Sequence, residues 1–171
     1  MREIRMRRDR RFHCETLEDR NLLSAVPAAM AEVQAVKSKL VTEVVQGTMT
    51  GTFVIHGSLV VIAAYGNLTN MGAAQLSGQY HTHVNFKTLK STDTGGTAAI
   101  SDSQGDGLIV KFTGTGKESH GQLVHSYKGS ITGGANKFNL AKGMFAATST
   151  SMVGYSGTFQ THVKLTVKVR R

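Results

Sequence analysis

Seven histidines are the first residues in this chain that invite chemistry. In His81-Thr82-His83 the i, i+2 spacing puts two imidazoles on one face of an extended strand, an arrangement that can chelate zinc or copper, with His125 or His162 as a third ligand. The same alternation sets His81 and His83 opposite Tyr80, Val84 and Phe86, so both rings face water if those three face a core. Surface histidines are therefore the expectation at 81 and 83, and a metal centre is the alternative. General acid–base catalysis needs a shielded carboxylate or imidazole. Beyond Ala31 the acids are Glu32, Glu43, Asp93, Asp102, Asp106 and Glu118, mostly in turn-like or linker stretches. No pair falls on an apparent inner face, which speaks against two-carboxylate chemistry on sugars. No Gly-x-Ser-x-Gly elbow is present, and Gly114-Thr115-Gly116 lacks the following helix that a phosphate loop requires. Cys14 is the single cysteine, so the rest of the chain has no thiol nucleophile, disulfide or thiolate ligand. No catalytic residue is assigned and no cofactor is expected.

The elements that would position any site are strands. Nineteen glycines, one proline and no tryptophan accompany many threonines. From Gln46 onward the hydrophobic period is two. Phe159, Thr161, Val163, Leu165, Val167 and Val169 share one face, with Gln160, His162, Lys164, Thr166 and Lys168 on the other. Met49, Gly51, Phe53 and Ile55 alternate with threonines, and Leu108, Val110 and Phe112 share a face. Turn signals separate the runs at His56-Gly57-Ser58, Asp93-Thr94-Gly95-Gly96, Gln104-Gly105-Asp106-Gly107, Gly133-Gly134 and Gly154. About eight strands without a helical interval predict an all-β fold, an antiparallel meander closed into an eight-stranded barrel, which removes exposed edges. The interior of such a barrel is either filled or holds one small ligand. Met49, Phe53, Leu108, Phe112 and Phe159 are the expected lining of a cavity.

Three stretches in order, Ala64–Tyr80, Ala98–Gly114 and Tyr127–Phe145, together resemble the allene oxide cyclase barrel-like family. Gly66, Thr69 and Gly72 match its first motif, with Asn70 and Met71 replacing histidine and leucine; Gly105 and Asp106 match its glycine–aspartate turn. Ile131, Gly133, Gly134, Phe138, Ala141 and Gly143 match the third, with Ala135, Asn136 and Lys137 replacing Thr-Gly-Arg. The resemblance implies a calycin-like closed barrel over most of residues 47–169. The related plant cyclases isomerise a fatty-acid epoxide in an apolar cavity, but none of their catalytic residues carries over to this chain, and fold does not by itself imply activity. Gly133-Gly134 are read as a positive-φ exit from a strand, Phe138 as a plug over the barrel mouth, and Lys137 as a weaker contact than the family's arginine.

Charge divides the chain differently. Six arginines lie in the first eleven residues, and none occurs between Arg20 and Arg170. Even so, the formal charge of +9 is carried mostly by dispersed lysines of the body. "FHCETLEDRNLLSA" resembles the LEPR-XLL type of N-terminal motif of bacterial exported and surface proteins, through Leu17, Glu18, Arg20, Leu22, Leu23 and Ser24. Ala29-Met30-Ala31 has the form of a signal-peptidase site. The expected organisation is a flexible leader over residues 1–31, a linker or short helix over 32–45 and the barrel over 46–171. No apolar run is long enough for a membrane-spanning helix. The outward faces pair lysine with threonine and glutamine rather than stacking aromatics, so nucleic acid is not an expected partner. The expected function is a non-catalytic exported or cell-surface binding or structural module, with Lys87, Lys111, Lys164 and Lys168 facing an anionic envelope polymer. The alternative is a carrier, or cyclase-like isomerase, for a small apolar molecule inside the barrel. The sequence leaves the oligomeric state open.

Overall fold

The computed structural model describes residues 39–85 and 87–170. The export motif at Leu17–Ser24, the Ala29–Ala31 site and Phe86 lie outside the described residues.

Eight strands form one closed antiparallel barrel in simple up-and-down order. They are β1 (Leu40–His56), β2 (Leu59–Leu68), β3 (Gly72–Asn85), β4 (Lys90–Asp102), β5 (Gly107–Ser119), β6 (Gln122–Ala135), β7 (Lys142–Met152) and β8 (Ser156–Arg170). Closure comes from β1 pairing with β8, from Leu40↔Arg170 through Val54↔Ser156. The expected linker or short helix over 32–45 is corrected over its last six residues: 40–45 are the first rungs of the β1–β8 ladder, and 32–38 lie outside the described residues. Val41, Glu43 and Val45 continue the inward phase of Met49, and their backbone groups find partners on β8.

Alternation explains the core. On β8 every odd position from Phe159 to Val169 is buried, and every even position except the half-buried Thr166 is exposed. The barrel has two unlike ends. One is formed by the β2–β3 and β4–β5 turns and the β6–β7 connection. There a single 3-10 turn, Asn136–Phe138, delivers Phe138 into the interior, where it is fully buried with Val45, Met49, Ile100, Leu108, Val167 and Val169. The other end is formed by the β1–β2, β3–β4, β5–β6 and β7–β8 connections.

Gly133 and Gly134 are not where the chain turns left-handed. Both belong to β6, and the positive φ falls on Asn136 at 50°. Gly134 is needed for a different reason: a Cβ there would collide with the carbonyl oxygens of Phe138 and Gly107. Among the described residues no helix is long and apolar enough to cross a membrane.

Candidate functional site

The three stretches that carry the family resemblance converge on the first end. Thr69 Oγ1 accepts from the Gln46 amide at 2.9 Å, and Asn70 Nδ2 donates to the Val44 carbonyl at 3.0 Å. Lys137 Nζ reaches across to the Asn70 carbonyl at 2.9 Å and lies 5.3 Å from the Phe138 ring centre. Its backbone amide donates to Asp106 Oδ1 at 3.1 Å, while Asp102 Oδ1 accepts from the amides of Gln104 and Asp106. Glu43 Oε2 lies 4.0 Å from Lys137 Nζ. These bonds lace the turns over Phe138 and seal that end.

Polar side chains collect inside the other end. Ser91, Asp93, His125, Ser149 and Thr161 are the buried polar or charged residues among those described. Register explains why they meet. Ser91 pairs with Gly116, Gly116 with His125, His125 with Ser149, and Ser149 with Thr161. The five strands β4 to β8 therefore present one continuous inner row, broken only by a glycine, with Asp93 two residues along from Ser91.

Asp93 is fully buried. Its Oδ2 lies 2.7 Å from His125 Nδ1, and its Oδ1 accepts from Thr82 Oγ1, also at 2.7 Å. An ionised carboxylate only accepts, so the proton between them belongs to Nδ1, and Nε2 is an acceptor when the ring is neutral and a donor when it is protonated. The ring stacks on Tyr127 at 5.6 Å between centroids and 6° between planes. Gly116 makes room for it: a Cβ there would lie 2.7 Å from His125 Cε1 and 2.8 Å from Nδ1, besides colliding with Ser91 Oγ. Ser91 Oγ is buried with no hydrogen-bond partner.

Tyr127 donates its phenol hydrogen to Tyr80 Oη at 3.1 Å. Burial pushes the Tyr80 phenol up to about 12, opposed by the bond from Tyr127 and reinforced by the charge of Asp93. Burial raises Tyr127 further, with Tyr80 and then Asp93 adding to it, so both rings are neutral phenols. Tyr80, Phe112, Tyr127 and Phe145 form an edge-to-face and tilted aromatic cluster beneath the polar row.

A cavity of about 80 Å³ opens into this end of the barrel. Phe53, Phe112 and Phe159 of the expected lining border it. Met49 and Leu108 do not; both are buried in the packed half near Phe138. The volume is well short of the ~300 Å³ at which pockets for drug-sized ligands begin.

Two sequence readings are corrected here. Asp93-Thr94-Gly95-Gly96 is not a turn but a bulge inside β4, where the pairing jumps from Asp93↔Gly114 to Gly96↔Phe112. And although no two carboxylates lie together in the interior among the described residues, an acid–imidazole pair does. The alternation of Ala98 and Ile100, extended backward, puts Asp93 outside. The bulge, with Gly95 at φ +63°, resets the phase so that Ser91 and Asp93 point inward too.

His81 and His83 are exposed on the outer face of β3, and His81 Nδ1 is 3.2 Å from Ser58 Oγ. His162 is also outward, bonded to Thr48 at 2.8 Å, whereas His125 is inside, so neither offers the third ligand that the metal reading needs. Among the described residues no group of three or more His, Cys, Asp or Glu side chains is placed to hold a metal ion.

The outer wall is also sorted by charge. Outward positions of β4 to β8 carry Lys90, Lys111, Lys117, Lys128, Lys142, Lys164, Lys168 and Arg170, all exposed. Those of β1 to β3 carry no lysine or arginine. None of the five described carboxylates, Glu43, Asp93, Asp102, Asp106 and Glu118, is exposed. Lys128, Ala146 and Lys164 lie in direct register across β6, β7 and β8, leaving a shallow furrow between two lysines roughly 10 Å apart. A second furrow floored by Gly96, Gly129 and Ser130 continues from Lys128 to Lys111. Lys87 lies off this wall, in the β3–β4 turn.

No protein-family model matches this chain, and no curated protein is significantly similar to it.

Proposed function

We propose that this chain is an exported or cell-surface binding module whose β4–β8 outer wall holds an anionic envelope polymer. The observation that carries the reading is the segregation of charge: eight exposed cations on one side of the barrel, with no exposed carboxylate among the described residues to neutralise them. Dispersed lysines on a mixed surface are mostly a solvated coat. A one-signed wall with furrows floored by small residues instead favours a chain of repeated phosphate or carboxylate groups lying across the strands. Export rests on the leader resemblance at Leu17, Glu18, Arg20, Leu22, Leu23 and Ser24. Kinship with the allene oxide cyclase barrel-like family is part of the same proposal, supported by the way its three motif stretches meet at one end of the barrel. The carrier alternative narrows with the cavity: a fatty-acid-sized guest does not fit about 80 Å³.

The test is retention on an immobilised anionic polysaccharide over a salt gradient. The unsubstituted protein elutes late, and the triple variant Lys111→Gln, Lys128→Gln, Lys164→Gln elutes at clearly lower salt, because exposed charge pairs are screened within about 8–10 Å at physiological ionic strength. Gln substitutions on the β1–β3 wall, at Thr50 and Thr52, leave elution unchanged. Retention that is indifferent to salt, or to the triple substitution, overturns the proposal.

A further inference from the structure

We propose that the open end of the barrel is a binding site for a compact, uncharged, ring-sized molecule bearing one hydroxyl group, with His125 Nε2 and Ser149 Oγ as its two polar contacts. This is independent of the outer-wall reading.

The inference starts from which polar groups are already committed. Thr82 gives its hydroxyl hydrogen to Asp93, Tyr127 gives its own to Tyr80, and Thr161 gives its to the Thr148 carbonyl at 3.3 Å. His125 commits only Nδ1. Nε2 makes no hydrogen bond with the described residues and is not among the fully enclosed unpartnered atoms, so it remains reachable from the cavity that His125 lines. Ser149 stands directly opposite His125 in the β6–β7 ladder, lines the same cavity, and makes no side-chain hydrogen bond among the described residues.

Chemistry then selects the guest. With Nδ1 turned to Asp93, Nε2 is the ring's open polar atom, an acceptor when the ring is neutral and a donor when it is protonated, and a hydroxyl group can meet either. The serine hydroxyl beside it can give or take a hydrogen bond. One hydroxyl on the guest satisfies both, pairing with Nε2 and with Ser149 Oγ. Thr82, Ser151 and Thr161 also border the space, and the rest of the wall is apolar and aromatic, with Phe53, Phe112 and Phe159, so most of the guest is apolar. A buried acceptor left unpaired is costly, and this is how such a site rejects a guest of the same shape that lacks the hydroxyl. The space of about 80 Å³ is smaller than the roughly 150 Å³ of a closed apolar cavity that holds benzene, so a single ring is the upper limit, seated partly in the open mouth of the barrel.

Phenol and toluene, nearly isosteric, are the probes. Titration of each into the full chain is followed by backbone amide shifts and by the imidazole nitrogen shifts of His125. Phenol is expected to move the Nε2 resonance and the amides of Leu123, His125 and Ser149, leaving those of Met49, Leu108 and Phe138 in place. Toluene leaves Nε2 unmoved. Ser149→Ala, which keeps the His125–Asp93 pair intact, should weaken phenol about tenfold, within the usual range for one lost hydrogen bond, and toluene hardly at all. Equal responses to the two probes, phenol shifts confined to the outer wall or the sealed end, or no phenol response at millimolar concentration would each overturn the proposal. The first titration needs no substitution, so a variant that misfolds does not protect it.

Discussion

The two ends of this barrel are built from the same strands and the same alternation, yet they solve opposite problems. At the sealed end the turns are laced by Thr69, Asn70, Asp102, Asp106 and Lys137 around a fully buried Phe138. Apart from Glu43, on the inward face of β1 beside Lys137, the polar groups there hydrogen-bond to backbone and stay outside, and the interior around Phe138 is hydrocarbon. At the open end the polar groups are inside: an imidazole, two serines and a threonine occupy one cross-strand row, with an aspartate two residues along from its first serine. The difference lies in what one bulge and one glycine do. Gly95 re-aims Asp93 inward, and Gly116 leaves the space that lets His125 reach it. Potential chemistry lies where the interior is polar and reachable. Open, polar ends of this kind are also where stability is usually sacrificed.

Substitutions can break or sharpen that contrast. Phe138→Ala removes the plug of the sealed end and should cost about 3–5 kcal/mol in chemical denaturation, the range for deleting a buried aromatic. Asp93→Ala should cost a comparable ~3–5 kcal/mol, for a different reason: it strands His125 and Thr82 without their acceptor. The contrast is sharpened by the double variant Asp93→Leu, His125→Leu, which removes both members of the pair and should recover the part of that loss owed to the stranded imidazole, leaving the Thr82 hydroxyl without its acceptor. No second substitution at the sealed end should rescue Phe138→Ala.

Alkaline pH probes the aromatic floor of the open end. Tyr80 and Tyr127 keep their protons in the fold beyond the ordinary phenol value of 10, so above about 10 the unfolded chain gives up protons that the folded one retains. Stability is complete below that point and falls as pH rises toward about 12, at about 1.4 kcal/mol per pH unit for each phenol. Ionisation of these two phenols, followed by tyrosinate absorbance, should coincide with loss of the far-ultraviolet strand signal. Gly116→Ala should cost ~1–3 kcal/mol by pushing on Ser91 and His125, and should shift the His125 ring resonances. Smallest of all, Lys137→Met at the sealed end loses one hydrogen bond from a partly exposed side chain, about 0.5–1.5 kcal/mol.

Much of the fold was legible in the sequence, because period-two alternation on β1, β5 and β8 is uninterrupted and turn residues mark most of the gaps. Closure could be argued only from strand number. The lining was legible in part: Phe53, Phe112 and Phe159 border the cavity, whereas Met49 and Leu108, equally apolar and equally in phase, are buried at the plugged end. Periodicity fixes which face a residue takes, not how far along the barrel axis the void lies. The polar row was not legible. Thr94 alone separates Asp93 from a Gly-Gly pair, and that pattern reads as a turn; only the pairing across β3, β4 and β5 shows an extra residue accommodated within a continuous strand. A Ser–Gly–His–Ser–Thr row likewise exists only across strands, with no trace along the chain. One signal was available: an aspartate two residues from a serine, close to a Gly-Gly pair, fits a bulge as well as a turn.

The contrast between the ends rests most directly on the state of one imidazole. Long-range proton–nitrogen correlation spectra of the unsubstituted protein at neutral pH assign the proton on each ring nitrogen of His125. A proton on Nδ1 that exchanges slowly with water, held by Asp93, with Nε2 responsive to added phenol, is the predicted result. A bare Nδ1 with the proton fixed on Nε2, or a ring that exchanges freely at both nitrogens, would contradict it.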